Sequence, residues 1–211
     1  MDLSGKKINF LGDSITFGCC ATDNRGFVDI LARDCHLAAA RNYGIGGTRY
    51  ARQRVPSEEA SYDLDFCGRF AQMDPDADII LVFGGVNDFG HGDAPMGTEA
   101  DRTPDTFLGA CHFLYRGLRE RFPAARLLVA TPLHCRDETD PSRTPTLGEY
   151  VAAIRRTAAV RGIEVLDLYE TSALDFRRPE IAGLYSTDGL HPNDQGHAVL
   201  AREIAVFLRS L

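Results

Sequence analysis

The sequence has no excess of positive charge, no CxxC cysteine pair, no internal repeat, and no apolar run near the roughly 20 residues that span a bilayer. Each absence closes off a class of protein. Lys and Arg total 23 against 30 Asp and Glu, and the resulting net charge of -7 leaves no field to draw the chain to phosphate backbones or anionic lipid. Nucleic acid and an inserted membrane are therefore not expected partners. Met1 to Lys7 carry no apolar stretch ahead of the first strand-like segment, which points to a cytoplasmic location. The six cysteines, Cys19, Cys20, Cys35, Cys67, Cys111 and Cys135, then read as reduced core residues rather than as a disulfide framework or a zinc ligand set. Average contents of hydrophobic (44%) and charged (25%) residues exclude disorder and coiled coil, and 211 residues suit one domain over 1-211.

What the chain does have is an alternation of short apolar runs with longer amphipathic ones, the mark of β/α units. Lys7 to Leu11, Arg41 to Tyr43 with the alanines before it, Ala77 to Phe83, Arg126 to Ala130 and Ile163 to Leu168 are the strand candidates. The run Ile79-Ile80-Leu81-Val82-Phe83 is apolar throughout, as in a parallel strand covered on both faces. Between strands, Thr103-Pro104 looks like the start of a helix that carries Phe107, Leu108, Cys111, Leu114, Tyr115 and Leu118 and stops before Pro123. Thr146-Leu147-Gly148-Glu149 matches a capping box, and a last helix follows His191-Pro192-Asn193 with Val199, Leu200, Ile204, Phe207 and Leu208 as its inner stripe. The pattern predicts a three-layer α/β/α sandwich around a five-stranded parallel sheet with right-handed crossovers.

In such sheets ligands bind outside the carboxyl ends of the strands, so the loops there are read together. The first holds Gly12-Asp13-Ser14-Ile15-Thr16-Phe17-Gly18 and the second Asn42-Tyr43-Gly44-Ile45-Gly46-Gly47-Thr48. The third holds Gly84-Gly85-Val86-Asn87-Asp88, and the last, after a 19-residue stretch from Tyr169 to Thr187, holds Asp188-Gly189-Leu190-His191. Singly, each has a plain explanation: an N-cap serine, a positive-φ turn, an Asx cap, a capped helix start. Jointly they supply a serine, a histidine with a carboxylate three residues before it, glycine N-H donors and an asparagine amide, the set that acyl transfer needs. Serine oxygen is a poor nucleophile at neutral pH unless an imidazole accepts its proton, and that imidazole needs a partner on its other nitrogen.

On these blocks the chain resembles the SGNH hydrolases, also called the GDSL family of esterases and lipases. The likeness runs from residue 7 to about 208, with Gly12-Asp13-Ser14, Gly47, Gly85-Val86-Asn87-Asp88 and Asp188-Gly189-Leu190-His191 in their usual order. It implies a flavodoxin-like sandwich with Ser14 as nucleophile, His191 as general base and then acid, Asp188 orienting it, and an oxyanion hole from Ser14 N-H, Gly47 N-H and the Asn87 side chain. Gly46 is the alternative donor to Gly47. Phe17 departs from the family, many of whose members carry Glu there, and is expected at the pocket rim. The implied enzyme is a serine esterase without metal or organic cofactor, acting on small acyl esters of a polar alcohol such as an acetylated sugar. Lysophospholipid or thioester hydrolysis, and a non-catalytic binding module on the same fold, are the alternatives.

Several residues stay outside that expectation. Asp13, Asp88, Asp188 and His191 as ligands of a phosphoesterase metal would leave Ser14 idle, and an α/β-hydrolase elbow would need glycine where Thr16 stands. Cys19 and Cys20 are expected as buried structural thiols, and His91 as an exposed loop residue or a substrate contact. Arg49, Arg52 and Arg54 are read as a solvated face pairing with Glu58 or Glu59, or as a rim for an acidic substrate. The polar loop from Leu133 to Thr146 is a candidate lid or homo-oligomer contact.

Overall fold

The computed structural model describes all 211 residues. Five strands, β1 (Lys7–Gly12), β2 (Ala39–Gly44), β3 (Ile79–Phe83), β4 (Arg126–Ala130) and β5 (Glu164–Leu166), pair in parallel in the order β2-β1-β3-β4-β5. The register sets Gly12 beside Gly44 on one side and Phe83 on the other. In chain order the helices are α1 (Ser14–Phe17), α2 (Phe27–Asp34), α3 (Phe66–Arg69), α4 (Val86–His91), α5 (Phe107–Arg121), α6 (Leu147–Val160), α7 (Leu168–Thr171), α8 (Pro179–Tyr185) and α9 (Asp194–Ser210).

Alternate strand residues feed two separate cores, which makes the three layers. Ile80, Val82, Leu127 and Val129 join Leu108, Leu114 and Ile154 of α5 and α6 on one face. Ile8, Phe10, Leu81 and Leu128 join Leu31, Leu200 and Ile204 of α2 and α9 on the other. Burial on both faces is why β3 reads as an unbroken apolar run. None of the helices is long and apolar enough to cross a membrane.

The boundaries differ from expectation where a cap or turn decides them. The first turn of α5 is capped by Thr106, whose hydroxyl accepts the Gly109 N-H at 3.1 Å, not by Thr103. The segment Ile163 to Leu168 is a shorter strand, because Asp167 already caps α7 at Leu168. Thr146 and Glu149 close the expected capping box on α6. Chain reversal of the strand order occurs at β1, whose neighbours are β2 and β3, so the crevice of the fold opens over the ends of β1 and β3.

Candidate active site

The end of β1 is packed too tightly for any residue but glycine. A Cβ on Gly12 would stand 2.0 Å from Thr16 Oγ1 and 2.6 Å from the Phe83 carbonyl. This nesting turns the chain so that Asp13 caps α1, its carboxylate accepting the Ile15 N-H at 3.0 Å, and Ser14 becomes the first helical residue. Burial pushes the Asp13 carboxyl up to about 6, against the opposing pull of that N-H and of His191 and Arg69.

His191 reaches Ser14 from the other end of the chain, with Nε2 2.9 Å from Ser14 Oγ. Its Nδ1 lies 2.6 Å from Asp188 Oδ2, while Asp188 Oδ1 accepts the Leu190 and His191 N-H groups at 2.9 and 2.8 Å. Burial alone would raise the Asp188 carboxyl, but the His191 N-H and imidazole together with the Leu190 N-H hold it below the usual carboxylate value. The loop is tied by Ser186, whose hydroxyl donates to the His191 carbonyl at 2.9 Å and accepts the Gly189 N-H at 2.8 Å.

The loops after β2 and β3 complete the crevice. The N-H groups of Ser14, Gly46 and Gly47 donate to no protein acceptor. Gly47 sits at φ +72, where a Cβ would collide with the Tyr62 ring at 2.2 Å; one on Gly46 would meet nothing nearer than Ser14 Cβ at 3.9 Å. Asn87 donates through Nδ2 to the Thr48 carbonyl at 3.0 Å, and its Oδ1 lies 3.2 Å from His91 Nε2. Arg49 Nη1 donates to His91 Nδ1 at 2.7 Å, which leaves the His91 proton on Nε2, facing Asn87. Burial, then the Arg49 charge, lowers the His91 pKa and keeps that ring neutral. Asp88 accepts the Tyr50 and Ala51 N-H groups at 3.0 Å each, and burial still pushes its carboxyl up to about 7.

Ser14 and Asp188 are thus both in contact with His191, and Asn87, on α4, is tied through the Thr48 carbonyl to the loop that carries Gly47. Other expectations need correction. Arg49 is no rim residue: it is 1% exposed and pairs with Asp63 at 2.9 Å, not with Glu58 or Glu59. Arg52 pairs with Asp105, and Arg54 bonds the Asp93 carbonyl. His91 is exposed as expected, but it stands at the end of α4 instead of in a loop and holds Asn87 through its ring. Phe17 is 45% exposed and does not line the cleft. Cys35, Cys67, Cys111 and Cys135 are buried as expected, but Cys19 is half-buried and Cys20 exposed. Burial, with Cys20 beside it, pushes the Cys19 thiol up to about 11.

Two arginines and a histidine that sequence reasoning missed shape the site. Arg69, largely buried, donates to the Gly12 carbonyl at 2.6 Å, to Thr48 Oγ1 at 3.0 Å and to the Tyr43 carbonyl, pinning the ends of β1 and β2 together. Burial lowers its pKa to about 10, so it stays charged at neutral pH. His197 on α9 accepts the Phe27 N-H at 3.2 Å and bonds the Cys19 carbonyl at 3.3 Å. Arg143 lines a cleft of about 160 Å³ together with Val86, Asn87, Phe89, His91, Cys135, Asp188 and Leu190. Its guanidinium lies 5.3 Å from the Phe89 ring centre and donates to the Gly90 carbonyl at 2.9 Å.

A parallel α/β/α sandwich with serine, histidine and aspartate in contact at its carboxyl edge has the build of an ester hydrolase. The chain belongs to the GDSL-like lipase/acylhydrolase family, which matches residues 10–199. It is 30% identical to a GDSL lipase of Mycobacterium tuberculosis over 97% of this chain and 82% of that protein. A solved Lactobacillus plantarum protein is 35% identical, with a TM-score of 0.85 over 98% of both chains. A solved acetyl xylan esterase shares the fold at 22% identity and a TM-score of 0.65, over 95% of this chain and 98% of its own. The protein is accordingly a hydrolase of the esterase and lipase class, acting on a small-molecule ester.

Proposed function

We propose that this hydrolase cleaves a carboxylic ester through an acyl intermediate on Ser14, taking a small acyl group on a polar alcohol such as an acetylated sugar. The observation that carries the reading is the continuous relay from Asp188 Oδ2 through His191 to Ser14 Oγ, with links of 2.6 and 2.9 Å. As Oγ attacks the carbonyl carbon, His191 Nε2 takes its proton, and Asp188 stabilises the imidazolium. The tetrahedral oxyanion accepts hydrogen bonds from the Ser14 N-H, the Gly47 N-H and the free Nδ2-H of Asn87. Collapse expels the alcohol with the proton from His191; water then attacks the acyl carbon by the same base and releases the acid and Ser14. No step calls on a metal or an organic cofactor.

The substrate class rests on the cleft. At about 160 Å³ it is smaller than the roughly 300–1,000 Å³ of pockets that enclose drug-sized ligands. Its apolar part is short, formed by Val86, Phe89 and Leu190, and Asp188 and Arg143 bring charge to its lining. Long acyl specificity would need continuous apolar surface, since each buried methylene contributes about 0.8 kcal/mol. The test is kcat/KM on p-nitrophenyl esters of increasing acyl length alongside acetylated saccharides. A fall from acetate or butyrate to octanoate supports the small-acyl reading. A steady rise to decanoate overturns it in favour of lysophospholipid or thioester hydrolysis, and a folded protein with no turnover on any ester would mean a binding module.

A further inference from the structure

Two thiols stand beside the triad without any part in the ester chemistry. Cys19 Sγ and Cys20 Sγ are 3.7 Å apart, and with a ring nitrogen of His191 they form a group whose ligand atoms all lie within 4.8 Å of one another. A tetrahedral ion with metal–sulfur bonds of about 2.3 Å separates its two sulfurs by about 3.8 Å. The free pair already stands at that spacing. Consecutive side chains usually diverge in extended backbone; here Cys20 adopts φ +70, and both sulfurs come to one side.

The surrounding bonds hold this arrangement in place. The Cys19 N-H donates to the Ser14 carbonyl at 2.9 Å, and the Cys19 carbonyl is bonded to His197. Further along the loop, Thr22 donates both its N-H and its hydroxyl to the Asp194 carboxylate at 2.7 Å each. The thiols are therefore anchored to the turn that carries Ser14 and to the helix that follows His191.

We infer that Cys19, Cys20 and His191 form a site for a thiophilic divalent cation such as Zn²⁺ or Cd²⁺, and that filling it stops ester hydrolysis. On binding, each thiol gives its proton to solvent and its sulfur forms a bond to the ion, while His191 gives one nitrogen lone pair. No electron is transferred. The exposure of Cys20 leaves a fourth position open to water. Two sulfurs and an imidazole select such ions over magnesium or calcium, which prefer oxygen ligands. Both His191 nitrogens are already engaged, one with Asp188 and one with Ser14. Whichever the ion takes, the base loses either its orienting carboxylate or its contact with the serine.

The inhibition rests on the proposed role of His191 as base, whereas the binding does not, and the two are measured separately. Metal-free protein titrated with Cd²⁺ should develop the ultraviolet sulfur-to-cadmium charge-transfer absorption with one equivalent bound, and the Cys19→Ser/Cys20→Ser variant should not. Zn²⁺ should suppress p-nitrophenyl acetate turnover of the parent protein, with recovery on adding EDTA. The double variant should keep its metal-free turnover and lose more than an order of magnitude of Zn²⁺ sensitivity. The buried Cys35, Cys67, Cys111 and Cys135 remain in both proteins as internal controls. Absence of the absorption in the parent, its persistence in the double variant, or equal Zn²⁺ inhibition of the two would overturn the site. Should no ester be turned over at all, the Cd²⁺ titration still decides whether the ion binds there.

Discussion

In the proposed reaction, Asn87 divides one amide between holding the site and serving it. One Nδ2-H goes to the Thr48 carbonyl, Oδ1 is held by His91, and the second Nδ2-H is free for the proposed oxyanion. Asn87→Ala should therefore lower kcat by about a hundredfold or more with little change in KM, the effect of losing one donor aimed at developing charge. A change confined to KM in steady-state kinetics would mean that the amide binds the ground state alone. Ser14 and Asn87 were legible because each sits in a short block directly after a strand, and Asp188 and His191 because they share one short block just before the last helix. Arg69 and His197 were not: they act on the carbonyls of Gly12, Tyr43 and Cys19, and a backbone acceptor leaves no trace in residue identity. The exposure of Cys20 was hidden for a related reason, since its positive φ falls on a residue that is not glycine.

Elements announced by side-chain chemistry were readable, and those announced by backbone alone were not. The capping box of α6 is spelled by Thr146 and Glu149, whose side chains each take the other's N-H, at 3.3 and 2.7 Å. By contrast α2 starts at Gly26 with no side-chain cap and buries only Phe27, Val28 and Leu31, too few positions to register as a helical period. α8 lies within the stretch from Tyr169 to Thr187, to which the sequence pattern assigns no element, and its Pro179 at the first turn was the signal available. Thr146 also ends the loop that brings Cys135 and Arg143 to the cleft. Thr146→Ala should cost about 1 kcal/mol of stability and lower the melting temperature by roughly 2–4 °C. Turnover at temperatures well below melting should be unchanged; a loss of kcat without a thermal shift would assign the box to the site rather than to the helix.

Across the whole molecule, two buried carboxyls couple stability to pH. Burial raises Asp13 to about 6 and Asp88 to about 7, whereas both ionise near 3.8 once unfolded. Between those values the unfolded chain holds fewer protons than the native one, so this contribution is full below about pH 4 and is lost as pH rises through about 6 to 7. The thermal midpoint of the parent protein, taken relative to that of Asp88→Asn, should therefore fall as pH rises from about 4 to 7. Parallel midpoints across that range would show that Asp88 is already ionised in the native state. The same burial keeps the Asp88 carboxyl on the Tyr50 and Ala51 N-H groups, which ties the end of β3 to the loop after β2.

The central claim is that Ser14 is the atom source of the covalent intermediate, and peptide mass mapping after exposure to a serine-directed organophosphonate tests it most directly. An alkoxide activated by His191 should capture the reagent as a stable tetrahedral adduct. The account predicts a single added mass on the peptide that contains Ser14, abolished in Ser14→Ala. Labelling of a different serine, or no labelling of the folded protein, would contradict it.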